Sequence, residues 1–302
     1  MDDLTTDEPI GGGPPPTKRG QAAERTRRLF RQWRSSPVGM VGSAMVITVV
    51  LVALLAPALA PHDPTQHHRD MRFLPPGTAR FPLGTDQLGR DLLSRLLYGA
   101  RISVLVGVSA ALVGGSVGAI IGLAAGFYGG TLDALISRAI DTFLSIPFII
   151  LVLAVVGILG PSLLTLILVL GLTGWASYAR VARGETMSVR EREFVSAAYA
   201  LGGSGIRISL RHILPNTMAS LIVLATLDVA ATILAESGLS FLGLGVQPPT
   251  VTWGLMIADG KDYIATAWWL ALFPGLAISF TVLGVIFLGD WLRDVLDPKL
   301  KV

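Results

Sequence analysis

Long apolar segments alternate with shorter polar segments along the chain, and the apolar segments have the length of membrane-crossing helices. A helix needs about 20 mostly apolar residues to cross the hydrocarbon core of a bilayer. Segments of this kind lie at 38–60, 102–127, 140–159, 163–179, 218–239 and 268–288. The pattern predicts an all-α, polytopic membrane protein with six transmembrane helices, the third of them kinked at Pro147.

The longest polar interval in the second half of the chain lies at 190–215 and has helical periodicity. Residues 191–201 are good helix formers with apolar side chains three and four positions apart, which predicts an amphipathic helix. Gly202 and Gly203 follow, and glycine readily adopts the left-handed conformation that ends helices. Ile206, Leu210 and Ile213 begin a second short stripe, and Pro215 is predicted to close it.

Two flanking regions are predicted to lie outside the membrane core. Residues 1–37 form a tail with a disordered, Gly- and Pro-rich start and a basic amphipathic helix near 22–34. Residues 61–99 form a loop with a surface helix, capped by Thr85 or Asp86, that carries Leu88, Leu92, Leu93, Leu96 and Leu97. The core with the other five spans occupies 100–290, and a short tail occupies 291–302.

Positive charge is distributed unevenly between the two sides of this arrangement. With six spans, the side that holds both termini and the loop 184–215 carries 17 of the 24 Lys and Arg residues. Cytoplasmic segments carry an excess of Lys and Arg. The protein is therefore predicted to lie in a plasma or inner membrane, with both termini and this loop in the cytoplasm.

Composition limits the chemistry available to this chain. It has 15% charged residues, against about 25% in an average soluble domain. It has no Cys, which excludes disulfides and thiolate metal sites, and its four His residues have no helix-spaced ligand pattern. It also lacks a Walker A sequence. We therefore expect no catalytic residue, no cofactor and no metal in this chain, and ATP could act only through another chain.

Four glycines recur at every fourth position of the second predicted span. Residues four positions apart lie on the same face of a helix. Small residues on that face let a second helix approach closely. The positions are Gly114, Gly118, Gly122 and Gly126. We interpret them as a surface for helix packing.

Two carboxylates are predicted to lie within the fifth span, Asp228 near its middle and Glu236 near its outer end. Ionisable residues inside a membrane are candidates for function because they are unfavourable there. Asp228 could instead make a structural hydrogen bond within the bundle. An ion-coupled secondary transporter that uses both acids is therefore the alternative to the interpretation given next.

Four stretches resemble one family of transport proteins. Ala197-Ala198, Gly202 and Leu214-Pro215 resemble the EAA loop of ABC-importer permeases, with Ser196 where many members have Glu. The stretches at 84–103, 236–254 and 288–300 resemble the dipeptide, oligopeptide and nickel permease group, which is DppC/OppC-like. They read GTDQLGRDLLSRLLYGARIS, ESGLSFLGLGVQPPTVTWG and LGDWLRDVLDPKL.

The resemblance implies a type I ABC-importer permease that forms half of a path for peptides or a related small solute. It implies a second permease similar to DppB/OppB, two ATPase subunits that bind ATP and Mg, an extracytoplasmic binding protein, surrounding lipid and no nucleic acid. It also implies that the loop contacts an ATPase subunit. The residues expected there are Ser196, Ala197, Ala198, Leu201, Gly202, Gly203 and Pro215.

Overall fold

The computed structural model describes residue 27, residues 30–78 and residues 80–296, and its regular elements are helical apart from two isolated β-bridges. Residues 30–35 are helical and precede the first long helix. The helices that follow are α1 Pro37–Leu59, α2 Leu92–Tyr128, α3 Gly130–Leu144, α4 Phe148–Leu159, α5 Leu163–Arg190, α6 Glu193–Ala200, α7 Gly205–Phe241, α8 Trp253–Gly260 and α9 Trp269–Leu296. Most of the predicted tail helix at 22–34 and the end of the C-terminal tail lie outside the described residues.

Five of these helices, α1, α2, α5, α7 and α9, are long and apolar enough to cross a membrane. The pair α3 and α4 meets the same criterion only when combined, and it bends by 85°. The all-α polytopic fold is confirmed, and the break predicted at Pro147 is present, with an 85° bend that divides the predicted third span into two helices. Pro147 lies just before α4, where it restricts the backbone of the preceding residue to extended conformations and so interrupts the helix.

The start of α1 follows from its sequence. The Ser36 hydroxyl accepts a hydrogen bond from the Gly39 amide at 3.1 Å, and Pro37 occupies the first helical position. The helix then packs against α9, where Gly39 faces the ring of Trp291. The first span is therefore fastened to the last span.

The start of α2 differs from the prediction. No separate surface helix capped by Thr85 or Asp86 forms, because one Asp86 oxygen accepts bonds from the Leu88 and Arg90 amides, both at 2.9 Å, and holds this stretch in a turn. The helix begins at Leu92 with Asp91 as its cap and continues unbroken to Tyr128. The leucines from position 92 onward thus belong to the second span.

The prediction that Pro215 closes a short second helix is also wrong. The helix that begins at Gly205 runs through Pro215 to Phe241. Proline removes an amide donor and clashes with the carbonyl four residues earlier. The chain accommodates it because Ser209–Ile213 widens into a π-helical turn. The loop after α6 is therefore joined to a membrane helix without a second break.

Candidate functional site

A glycine turn ends the short helix α6. The Gly203 amide donates to the Ala198 carbonyl at 3.1 Å, and the Gly202 amide donates to the Tyr199 carbonyl at 2.9 Å. These two bonds define a Schellman motif, whose left-handed residue is Gly202 with φ of +79°. A residue with a β-carbon would be strained there by about 1–2 kcal/mol.

Only one side of α6 is buried. Val195 is fully buried, and Ala198 is partly buried beside it. Ser196 and Ala197 are exposed, and Leu201 is 89% exposed. Most of the residues predicted to contact an ATPase subunit are therefore on the surface, whereas Ala198 faces the chain's own core.

The buried side of α6 rests on the ends of three membrane helices. Val195 packs in a cluster that includes Phe127 at the end of α2, Val189 near the end of α5 and Ile208 near the start of α7. Arg190 donates a hydrogen bond to the Phe127 carbonyl at 2.8 Å. The exposed surface of α6, which we call the α6 surface, is thus held by α2, α5 and α7. Pro215 lies on α7 and outside the glycine turn.

The glycine stripe of α2 faces α5 along its whole length. A β-carbon at Gly118 would lie 2.5 Å from the Tyr178 β-carbon, and one at Gly122 would lie 2.7 Å from the Ala182 β-carbon. Gly114 and Gly126 are equally close to the α5 backbone. The two backbones therefore approach more closely than any side chain on the stripe would allow.

The two membrane carboxylates lie in different surroundings. Asp228 is half-buried and accepts a hydrogen bond from the Tyr178 hydroxyl of α5 at 3.0 Å. Glu236 is fully buried and accepts one from Ser240 at 2.7 Å, while its second oxygen has no partner among the described residues. The two acids are eight positions apart on α7, a rise of about 12 Å, and they share no partner in the recorded hydrogen bonds.

A groove runs along the membrane between α2 and α7, with a volume of about 560 Å³. Its walls are almost entirely apolar side chains. They include Leu112, Ala119, Leu123, Met218, Leu221 and Ala225. Tyr178 lies at one end of this α2–α7 groove, and Phe127 and Ile206 lie at the end nearest α6.

Sequence reasoning missed an ionic cluster at the opposite end of the bundle. Arg95 is 2% exposed and lies 3.1 Å from Asp86 and 3.0 Å from Asp259. Arg90 also contacts both carboxylates, at 2.6 Å and 3.2 Å. The cluster fastens α8 to the start of α2. Only the four-residue spacing of Asp86 and Arg90 was visible in the sequence, because Asp259 is distant along the chain.

A second set of ion pairs fastens α3 to α5. Arg183 contacts Asp133 with two nitrogens, one of them at 2.7 Å from Oδ2. Arg180 lies 2.5 Å from Asp141. These pairs join residues about 40 to 50 positions apart, so the sequence carried no local signal for them. Among the described residues, no group of three or more His, Asp or Glu side chains is placed to hold a metal ion.

Comparison with known families places this architecture among transport proteins. Residues 118–302 match the family described as binding-protein-dependent transport system inner membrane component. Residues 25–76 match the N-terminal TM domain of oligopeptide transport permease C. The chain belongs to the family of binding-protein-dependent transport system inner membrane components. It is therefore a multi-pass transport component of the membrane rather than an enzyme, and the expected resemblance to the DppC/OppC-like group is confirmed.

Individual relatives are similar in sequence to this chain over nearly its whole length. The di/tripeptide transport system permease protein DppC of Pseudomonas aeruginosa is 44% identical over 280 residues, covering 91% of this chain and 92% of that protein. The dipeptide transport system permease protein DppC of Escherichia coli is 44% identical, covering 91% and 93%. DppC of Alkalihalophilus pseudofirmus is 40% identical, covering 99% and 97%.

Proposed function

We propose that this chain is one of two membrane subunits of an ATP-driven importer that takes up di- or oligopeptides. The peptide class follows from the names of relatives that match it over more than nine-tenths of its length. The partners are a second permease similar to DppB/OppB, two ATPase subunits that bind ATP and Mg, and an extracytoplasmic binding protein. In this arrangement both termini and the α6 surface face the cytoplasm, as the charge distribution predicts.

The observation that carries the proposal is the α6 surface. A loop that only connected two spans would have no need for a short helix, a Schellman turn and an outward leucine that is 89% exposed. A cleft on a partner protein would bury this side chain and remove its apolar surface from water. Burial of one leucine contributes about 1.5–3 kcal/mol.

Coupling follows from what α6 rests on. Its buried side contacts α2, α5 and α7 together. An ATPase subunit that moves the α6 surface would therefore displace three membrane helices as a unit. ATP binding and hydrolysis on the partner chains would in this way open and reset the path, and this chain would catalyse no covalent step.

The test uses the reconstituted complex of this chain with the neighbouring permease, ATPases and binding protein. Leu201→Ser removes the exposed side chain without touching the buried cluster, and Gly202→Val strains the turn. We expect both variants to insert and fold, while ATP-driven uptake falls about tenfold or more, as loss of one buried apolar anchor implies. Ala198→Trp, by contrast, would disturb the chain's own core and is a less specific probe.

The matched control is Val38→Ser, which alters an exposed aliphatic residue at the same end of the bundle but on α1. Uptake and ATPase activity should be unchanged in that variant. Normal coupled uptake in both α6-surface variants would remove the coupling assignment. Uptake that follows a proton gradient and ignores ATP would favour the ion-coupled alternative with Asp228 and Glu236.

A further inference from the structure

Asp228 lies one helical turn beyond Ala225, the last residue of α7 that lines the α2–α7 groove. On α7 the groove is lined by Met218, Leu221 and Ala225. Residues three and four positions apart share a helix face, so Asp228 continues that face by one further turn. Its partner Tyr178 lines the groove from α5. The polar pair therefore stands beside one end of an otherwise apolar groove wall.

The Asp228 carboxylate can accept more hydrogen bonds than it receives. An ionised carboxylate can accept about four hydrogen bonds. Tyr178 supplies one to Oδ2, and no other described residue makes a hydrogen bond or an ion pair with Asp228. The carboxylates Asp86, Asp133 and Asp141 each contact an arginine instead.

The space beside Asp228 is kept free by a glycine. Gly174 lies one helical turn before Tyr178 on α5, and a β-carbon there would only just touch the Asp228 carboxylate, at 3.6 Å from Oδ2. A larger side chain at position 174 would fill the space beside the carboxylate. The surroundings of Asp228 thus combine a fixed donor, an oxygen without a described partner and a neighbouring position that carries no side chain.

We infer that Asp228 binds the ammonium group of a peptide in transit, with Tyr178 as the residue that positions the carboxylate. The inference rests on the proposed function, because it takes a peptide with a free amino terminus as the substrate. An ammonium group loses hydration when it enters an apolar channel, and an unpaired carboxylate compensates for that loss. The apolar walls can accept different side chains without requiring specific bonds.

The two groups of this site are carried by different helices, and both helices lead to the α6 surface. Tyr178 belongs to α5 and Asp228 to α7, and the ends of both pack on Val195. Relative movement of α5 and α7 would lengthen or shorten the bond between the hydroxyl and the carboxylate. The ammonium site would therefore be altered in the same step that opens the path.

The first experiment measures the local charge directly. The chain contains no native cysteine, so Ala225→Cys places a single thiol in the groove one turn from Asp228. In the full complex in nanodiscs, we compare its reaction with trimethylammonium and sulfonate methanethiosulfonates. We expect the cation to react about tenfold faster, as a nearby unscreened carboxylate would favour. Asp228→Asn should bring the two rates close together.

Met218→Cys is the matched control, since it lines the same groove about 15 Å from Asp228 along α7 and should show a smaller preference. A preference at position 225 that persists in Asp228→Asn would overturn the inference. The inference would also be overturned if neither reagent reacted with Ala225→Cys, with or without ATP, because the groove would then not be open to solutes.

The second experiment measures transport of radiolabelled dialanine by the reconstituted complex. Asp228→Asn keeps an acceptor for Tyr178 but removes the charge, and we expect uptake to fall about tenfold, the scale of one bond to a charged group. Tyr178→Phe keeps the charge and should reduce uptake less, and Asp228→Glu should recover part of it. A purely structural clamp predicts the reverse: near-normal Asp228→Asn and impaired Tyr178→Phe.

Failure of this inference can be told apart from failure of the proposed function. If the unaltered complex imports dialanine with ATP while Asp228→Asn matches it, only the ammonium site is refuted. If the unaltered complex shows no ATP-dependent uptake, the proposed function fails, and the thiol-reagent comparison still reports on the charge at the end of the groove.

Discussion

The contact between α2 and α5 allows a quantitative prediction about Gly122. Replacing this glycine with alanine places a methyl group 2.7 Å from the Ala182 β-carbon and 2.9 Å from the Arg183 amide nitrogen. Both distances lie well inside van der Waals contact, and one of the two atoms belongs to the backbone. The helices must separate, since neither neighbour can rotate away. Overpacking of this kind costs about 1–3 kcal/mol.

The assay is thermal unfolding of the purified protein in detergent. Unfolding is monitored by the loss of the protein's monodisperse peak, and Tm is the temperature at which half of that peak is lost. A change of 1 kcal/mol shifts Tm by about 2–4 °C in proteins of 150–250 residues. Gly122→Ala is therefore expected to lower Tm by about 3–10 °C. Gly122→Leu should prevent assembly with the second permease, because a larger side chain cannot be accommodated by a small separation.

Gly184→Ala is the matched control within the same helix pair. Gly184 lies on α5, and a β-carbon there meets no atom within 4 Å. Alanine is the better helix former, so this substitution should leave Tm unchanged or raise it slightly. Equal Tm values for Gly122→Ala and Gly184→Ala would refute the close approach of α2 and α5.

Two further predictions concern the ionic cluster around Arg95 and the membrane topology. Asp86→Asn should lower Tm more than Asp259→Asn, because Asp86 is the more buried partner of Arg95. Removing one member of a buried ion pair costs about 3–5 kcal/mol. The control is Asp262→Asn at an exposed position, which should leave Tm unchanged. In intact cells, an impermeant thiol reagent should label Asp262→Cys but not Arg192→Cys, both being exposed positions, and labelling of Arg192→Cys alone would contradict a cytoplasmic α6 surface.

Local features of this chain were predictable because their causes are local. The Ser36 cap, the span at 38–60 and the helix end at Gly202 depend on residues within four positions of one another. Hydrophobic periodicity and glycine conformation suffice for such features. The same information predicted that the glycines of α2 share a face, although it did not identify α5 as the neighbour.

Predictions from local sequence rules differed from the structure where the surrounding helix accommodated the residue in another way. Pro215 was expected to end a helix, but a π-helical turn absorbs it within α7. A bend was expected at Pro147, and the structure shows one that is sharper than a kink, because the two helices on either side of it meet at 85°. The pairing of Tyr178 with Asp228 and of Arg95 with Asp259 could not be predicted, because hydrogen bonds between distant residues depend on how the helices pack.

The continuity of α7 gives the protein a lever. Its 37 residues, at about 1.5 Å each, make a rod about 55 Å long that starts three residues after the Schellman glycine. Asp228 lies about 35 Å along this rod from Gly205, so a tilt of only about 5° about the end at Gly205 displaces the carboxylate by about 3 Å. That displacement is enough to break the bond to Tyr178. Because Pro215 does not interrupt the rod, a small tilt at the end next to the α6 surface is enlarged at Asp228.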